Sequence, residues 1–172
     1  MILEPLKAAP LLLAAALVQV SIASGVGVAD GHPDIVLVVL IGIALLRGPL
    51  FGAVAGFWAG LAIDVATLET LGLTSLLFTL VGYFSGRLGD VTTKSSAHPS
   101  LVAVALGTVG FGIGSAVLHF MLGSTISAGH FFAGVLLPTL ALNLLLAYPI
   151  YGLCRRIFPA ERAERREVSP AV

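Results

Sequence analysis

Apolar residues run through this chain in six long blocks, and the charges and turn-formers gather in the short breaks between them. The blocks cover about residues 8–28, 34–46, 49–66, 71–86, 100–122 and 131–153. The breaks read "DGHPD", "RGP", "TLET", "RLGDVTTKSSAHPS" and "GSTISAG", each rich in residues that end helices or begin turns. A helix of about 20 apolar residues matches a hydrocarbon layer roughly 30 Å thick. The pattern therefore predicts an all-α, polytopic membrane protein, a bundle of six transmembrane helices. The first block follows Lys7 and ends near "SIASG", which resembles a weak signal-peptide cleavage site. Its length is that of a full span, longer than a signal h-region, and it opens a series of such blocks. We read it as the first span.

The second block, at about 13 residues or roughly 20 Å of helix, is short for a span. Fusing it with the third would give five crossings, and the basic residues decide against that. With six spans and a cytoplasmic N-terminus, the inner segments hold Lys7, Arg47, Arg87, Lys94, Arg155, Arg156, Arg162, Arg165 and Arg166, which are all nine Lys and Arg. The outer connections hold Asp30, His32, Asp34, Glu69 and His130. Fusion would move seven of the nine basic residues outside. Lys and Arg bias toward cytoplasmic loops, so both termini are expected inside. Bilayer thinning, or Arg47 snorkelling to the interface, would accommodate the short span. Arg47, Arg87, Arg155 and Arg156 become topology and lipid anchors, and at Arg155 and Arg156 anionic headgroups add roughly 1 kcal/mol per basic residue.

Residues 1–154 are expected to form the transmembrane domain and residues 155–172 a short basic cytoplasmic tail. In "AERAERRE" Glu161 reaches Arg165 one turn on, worth a few tenths of a kcal/mol. The tail reads as a topology anchor or as a docking segment. No soluble domain is expected.

Composition agrees with this reading. Of 172 residues, 58% are hydrophobic and 10% charged, with a mean hydropathy of +1.05. A soluble domain carries roughly 25% charged residues, so this chain could not cover itself with a polar surface. The single cysteine, Cys154, excludes an internal disulfide and a Cys-cluster metal site. It reads as a small apolar residue.

Within "RGPLFGAVAGFWAGLAIDVA" Gly48, Gly52, Gly56, Gly60 and Asp64 fall four apart. Helix association in lipid relies on close packing and interhelical hydrogen bonds, and glycines let two backbones approach. Steps of four advance about 40° around a helix, so the row is an oblique groove. Another helix of this chain, a partner's helix or a ligand could fill it. Asp64 lies about 24 Å along the helix from Gly48, at the outer part of the bilayer. An ionisable residue there is a functional-site hypothesis by default. It could cap a neighbouring helix, anchor a partner or ligand, or carry protons or cations. Gln19, His119, Thr139 and Asn143 are further polar groups inside spans, and Asn143 is expected to bond to a neighbouring helix. Pro138 and Pro149 are expected to kink the last span.

Catalytic and metal readings fare poorly. "GYFSG" at 82–86 resembles the serine loop of intramembrane proteases, but its glycine precedes Ser85 by three residues where that pattern needs two. His119 and His130 fall at outer helix ends, most of a bilayer from Ser85, whereas a nucleophile and its base must lie within about 3 Å. Nothing in the spacing of His119, His130 and Asp64 fixes a metal site. The intrahelical glycines form no phosphate loop, and nucleic acid would find no basic surface. The chain is expected to have no catalytic residue, no metal and no cofactor.

"PDIVLVVLIGIALLRGPLFGAVAGFWAGLAIDV", "LGLTSLLFTLVGYFSGRLGD" and "LNLLLAYPIYGL" together resemble the bacterial rod-shape-determining MreD family. The likeness runs over almost the whole chain. Its most specific parts are Arg47-Gly48-Pro49, Gly56-Phe57, Gly60-Leu61 with Asp64, Leu71-Gly72-Leu73, Gly82-Tyr83 and Gly86-Arg87. The resemblance implies a non-enzymatic scaffold subunit of the cell-elongation (peptidoglycan-synthesis) machinery in the bacterial plasma membrane. It would bind the bitopic protein MreC and link MreB filaments inside to RodA and its penicillin-binding transpeptidase partner. A homo-oligomer is left open. The family also looks like the six-helix substrate-binding subunits of energy-coupling-factor vitamin transporters, so a small-molecule-binding transporter subunit is the alternative. The family supplies no catalytic residues; Asp64 and the glycine row are nominated on physical grounds alone.

Overall fold

A computed structural model of the chain describes residues 3–23, 31–68, 70–91, 98–123 and 131–158. Among these there are six α-helices, one π-helical turn and no strand. They are α1 (Leu3–Ala23), α2 (Ile35–Arg47), α3 (Pro49–Thr67), α4 (Leu73–Val91), α5 (His98–Met121) and α6 (Leu137–Ile157), the last entered through the π-helical turn Phe131–Leu136. Lys94, Asp30, Glu69, His130 and the tail beyond Phe158 lie outside the described residues. Pro49–Thr67, Ser100–Met121 and Phe131–Ile157 are long and apolar enough to cross a membrane, and shorter apolar stretches cover Ala8–Gln19 and Ile35–Arg47.

The short helix α2 is the axis of the bundle. Every residue from Val36 to Leu46 is buried, because α1, α3, α4, α5 and α6 all pack on it. A helix apolar on every side belongs inside a core, and "IVLVVLIGIALL" has no polar face to offer. Its 13 residues therefore have their neighbours for a solvent, and need neither a thinned bilayer nor a snorkelling Arg47. Arg47 instead places its guanidinium 5.3 Å from the centre of the Phe158 ring at the end of α6, a cation–π contact.

A single residue, Gly48, separates α2 from α3, with φ 98°. Only glycine adopts that backbone without strain, and Pro49 then occupies the first helical position, where its missing N–H costs nothing. Packing shows the helix directions. Gly48, Gly52, Gly56 and Gly60 of α3 face Gly86, Gly82, Phe78 and Ser75 of α4 in turn, so those two run antiparallel. Gly42 of α2 faces Cys154 of α6, and Leu45 faces Gly89 of α4, so these three run together. Gly114 of α5 meets Leu77 of α4, an antiparallel pair. Gln19 near the end of α1 reaches Val36 at the start of α2. Successive helices thus alternate in direction.

The π-helical turn before α6 falls where Pro138 would otherwise press its ring on the carbonyl four residues back. A widened turn is one of the known ways a helix absorbs such a residue. Pro149 lies inside α6.

Candidate functional site

Three groups of side chains stand out, and each joins helices. The first is the seam between α3 and α4. A side chain at Gly52 would collide with the Gly82 carbonyl oxygen, one at Gly56 with the Phe78 carbonyl, and one at Gly60 with the backbone of Ser75. The approach is mutual: Gly82 lies on the Gly52 carbonyl, and Gly86 on Gly48 and Pro49. Ser75 adds a hydrogen bond, its Oγ donating to the Phe57 carbonyl at 2.8 Å. The glycine row is therefore filled along its length by α4 of the same chain, and a partner helix or ligand could use it only by displacing α4.

Asp64 ends that row, fully buried. Its Oδ2 accepts from the Gly72 N–H at 2.7 Å and its Oδ1 from the Thr74 N–H at 3.3 Å. Those donors belong to the start of α4, where unpaired N–H groups and the helix dipole favour a carboxylate. Asp64 thus caps α4 from the end of α3, and the glycine seam and the cap clamp the same two helices at different depths. Each oxygen accepts one bond there, so of the roles open to Asp64 the geometry fills that of a helix cap.

The third group ties four helices near the start of α2. The Gln19 Oε1 of α1 accepts from the Val36 N–H at 2.9 Å, and the Asp34 Oδ1 accepts from the Leu37 N–H at 3.0 Å as the N-cap of α2. Asn143 of α6, fully buried, accepts from the Asp34 N–H at 2.8 Å. It also donates to the Thr108 Oγ1 of α5 at 3.1 Å. Away from water each such bond saves the cost of an unmade partner. Beside this knot is a half-open cavity of about 240 Å³, walled by Gln19, His32, Asp34, Thr108, Thr139 and Phe131 among others. A second hollow, about 410 Å³ and almost wholly apolar, lies between α4 and α5.

The basic anchors occupy one end of the bundle. Arg47 sits at the end of α2, Arg87 is exposed near the end of α4, and Arg155 and Arg156 are exposed in the last turn of α6. Asp34 and Asp64 lie toward the opposite end, at the start of α2 and the end of α3.

Sequence reasoning missed Thr108, Ser75, the role of Gly82 and Gly86 as a row facing α3, and the contact of Gly89 with Leu45 of α2. Gly82 and Gly86, four apart on an apolar helix, carried a signal that could have paired α4 with α3. Thr108 carried none, since a lone threonine in an apolar span does not name its partner.

The model of the rod shape-determining protein MreD family matches residues 3–157. The chain is also similar to the cell shape-determining protein MreD of Streptococcus pneumoniae (strain ATCC BAA-255 / R6), 38% identical over 90 residues. That match spans 52% of this chain and 54% of the relative, so it covers about half the length of the curated protein. No solved structure matches.

Proposed function

The chain belongs to the MreD family of rod shape-determining proteins, and from that premise we propose that it is a non-enzymatic integral-membrane scaffold of the cell-elongation machinery. The observation that carries this reading is where the polar groups go. Asp64, Asn143, Gln19, Thr108 and Ser75 are spent on holding helices to one another. What the bundle presents outward is apolar: Leu50, Trp58, Leu76, Phe84, Leu106 and Phe120 are all exposed. In a bilayer such faces meet lipid or other helices. Binding to an MreC-like bitopic protein, and through it to MreB, RodA and a penicillin-binding transpeptidase, is the function proposed for them.

The same reading places the chain in the bacterial plasma membrane with six spans and both ends in the cytoplasm. Alternating helix directions support it, and so does the gathering of Arg47, Arg87, Arg155 and Arg156 at one end. A thiol introduced at Arg156 is expected to be protected from a membrane-impermeant reagent in intact cells, and one at His32 to be labelled; the reverse would overturn the topology. Co-purification with the MreC-like protein of the same cell is the direct test of function. Failure to associate in membranes where both proteins are present would sink the scaffold reading.

One observation favours a second reading, a small-molecule-binding transporter subunit: the polar-walled cavity of about 240 Å³. Thermal-shift screening with vitamins and metals tests it. A saturable rise in melting temperature, lost on Thr139→Leu, would establish a ligand site there.

A further inference from the structure

The cavity beside the four-helix knot draws its polar groups from three helices and from the segment that leads into a fourth. Gln19 stands near the end of α1, His32 and Asp34 before α2, Thr108 and Ser115 on α5, and Thr139 on α6. From Thr108 to Ser115 is about 10 Å along α5, so the polar wall reaches from the Asp34 end of the bundle toward its middle. The opposite flank is the π-helical turn, through Phe131, Val135 and Leu136. Widened turns of this kind gather at functional sites. Gln19, Asp34 and Thr108 have their bonds in the knot, which makes no use of Ser115, Thr139 or His32. Polar groups set around a hollow at membrane depth suit a polar occupant, since an acyl chain offers them nothing to bond.

The charge of the wall says which kind. No Lys or Arg lines the cavity, and the sequence has none between Lys7 and Arg47 or between Lys94 and Arg155. Asp34 supplies a carboxylate, and the groups that bond to it are neutral: the Leu37 N–H at 3.0 Å and the Gln19 side chain. The dipole at the start of α2 amounts to about half a positive charge, so it offsets part of the carboxylate and leaves the wall negative. Phe111 and Phe131 line the same space, and the faces of such rings attract cations. The Ser115 and Thr139 hydroxyls can accept from a three-donor ammonium. An anion would meet no fixed positive side chain there. The volume of about 240 Å³ is the share of about eight water molecules in the liquid, which limits the occupant to a small molecule.

We propose that this cavity binds a small organic ammonium ion, its head against the Asp34 carboxylate and the Ser115 and Thr139 hydroxyls, its body against Phe111 and Phe131. The proposal rests on the ligand-binding reading of the cavity given above and adds the charge and size of the ligand.

The test titrates the full chain in detergent micelles with three probes of nearly one shape and different charge: phenethylamine, phenethyl alcohol and phenylacetate. Calorimetry reads the affinity and thermal melting the fold. Phenethylamine is expected to bind saturably and at least about ten-fold more tightly than the alcohol, from one charge-assisted contact, and phenylacetate not to bind. Asp34→Asn, whose side chain still caps α2, should melt near the unaltered chain and lose the preference for the amine. Ser115→Leu puts bulk into the cavity without touching the knot and should abolish binding of amine and alcohol alike. It tests the site independently if Asp34→Asn does not fold. Equal affinity for amine and alcohol, or tighter binding of phenylacetate, overturns the proposal while leaving a ligand site in place. An amine preference that survives Asp34→Asn, or binding that survives Ser115→Leu, overturns it as well. So does the absence of saturable binding by phenethylamine, and the screen with vitamins and metals then decides the ligand-binding reading by itself.

Discussion

Helix α4 meets a neighbour on each of two sides, and the contacts are built differently. Toward α3, glycine faces glycine, carbonyls lie where side chains would be, and the seam is sealed by Ser75 and capped by Asp64. Toward α5, glycine faces leucine and valine, the backbones stay apart, and a hollow of about 410 Å³ remains. The same residue type thus closes one interface and leaves the other open. In lipid, where burying apolar surface gains little, what decides is whether both partners are small at the same depth.

That contrast can be broken most forcefully at Gly56. Gly56→Leu would drive a side chain into the Phe78 carbonyl, and we expect a loss of about 3 kcal/mol or more, at the upper end of overpacking costs. Unfolding in mixed detergent micelles reads it. A variant as stable as the unaltered chain would show that the seam is not a backbone-to-backbone contact. Because the fold itself suffers, this substitution says nothing about partners.

Asp64→Ala removes both acceptors from the start of α4, and a loss of about 1–2 kcal/mol is expected, as for other helix caps. Thermal melting checks it, and Asp64→Asn, which keeps one oxygen acceptor, should fall between. Asn143→Leu breaks two bonds joining α2, α5 and α6, with an expected cost of about 0.6–2 kcal/mol in the same assay. The smallest effect sharpens the comparison most. Gly110→Ala should leave stability within about 0.5 kcal/mol, or raise it slightly through helix propensity. A large loss there would mean that the open side is as tightly packed as the closed one.

Much of the closed side was legible in the sequence. Four glycines in strict steps of four, followed by a carboxylate, need no tertiary information to mark a close contact. The facing surface was harder, because Ser75, Phe78, Gly82 and Gly86 mix residue types and only their backbones are in common. Asp64 was conspicuous as a carboxylate in an apolar helix, yet its donors, Gly72 and Thr74, stand across a turn that the pattern marked merely as a break. The shortness of α2 was visible and was read as a problem of membrane thickness. Its uniform apolarity was the better guide, since a helix without a polar face is one surrounded by others. The Asn143–Thr108 bond links positions 35 residues apart, and no local pattern fixes which polar groups will meet across a bundle.

The one-residue joint at Gly48 also bears on how firmly the core helix is held. A helix of 13 residues is tied to its successor with no slack between them, and Arg47 stands at the tip of the resulting hairpin. So short a connection leaves little closure entropy to be lost when the two helices meet. Lengthening it by a few flexible residues would leave every contact chemically available and would cost the fold only the entropy of closing a longer loop.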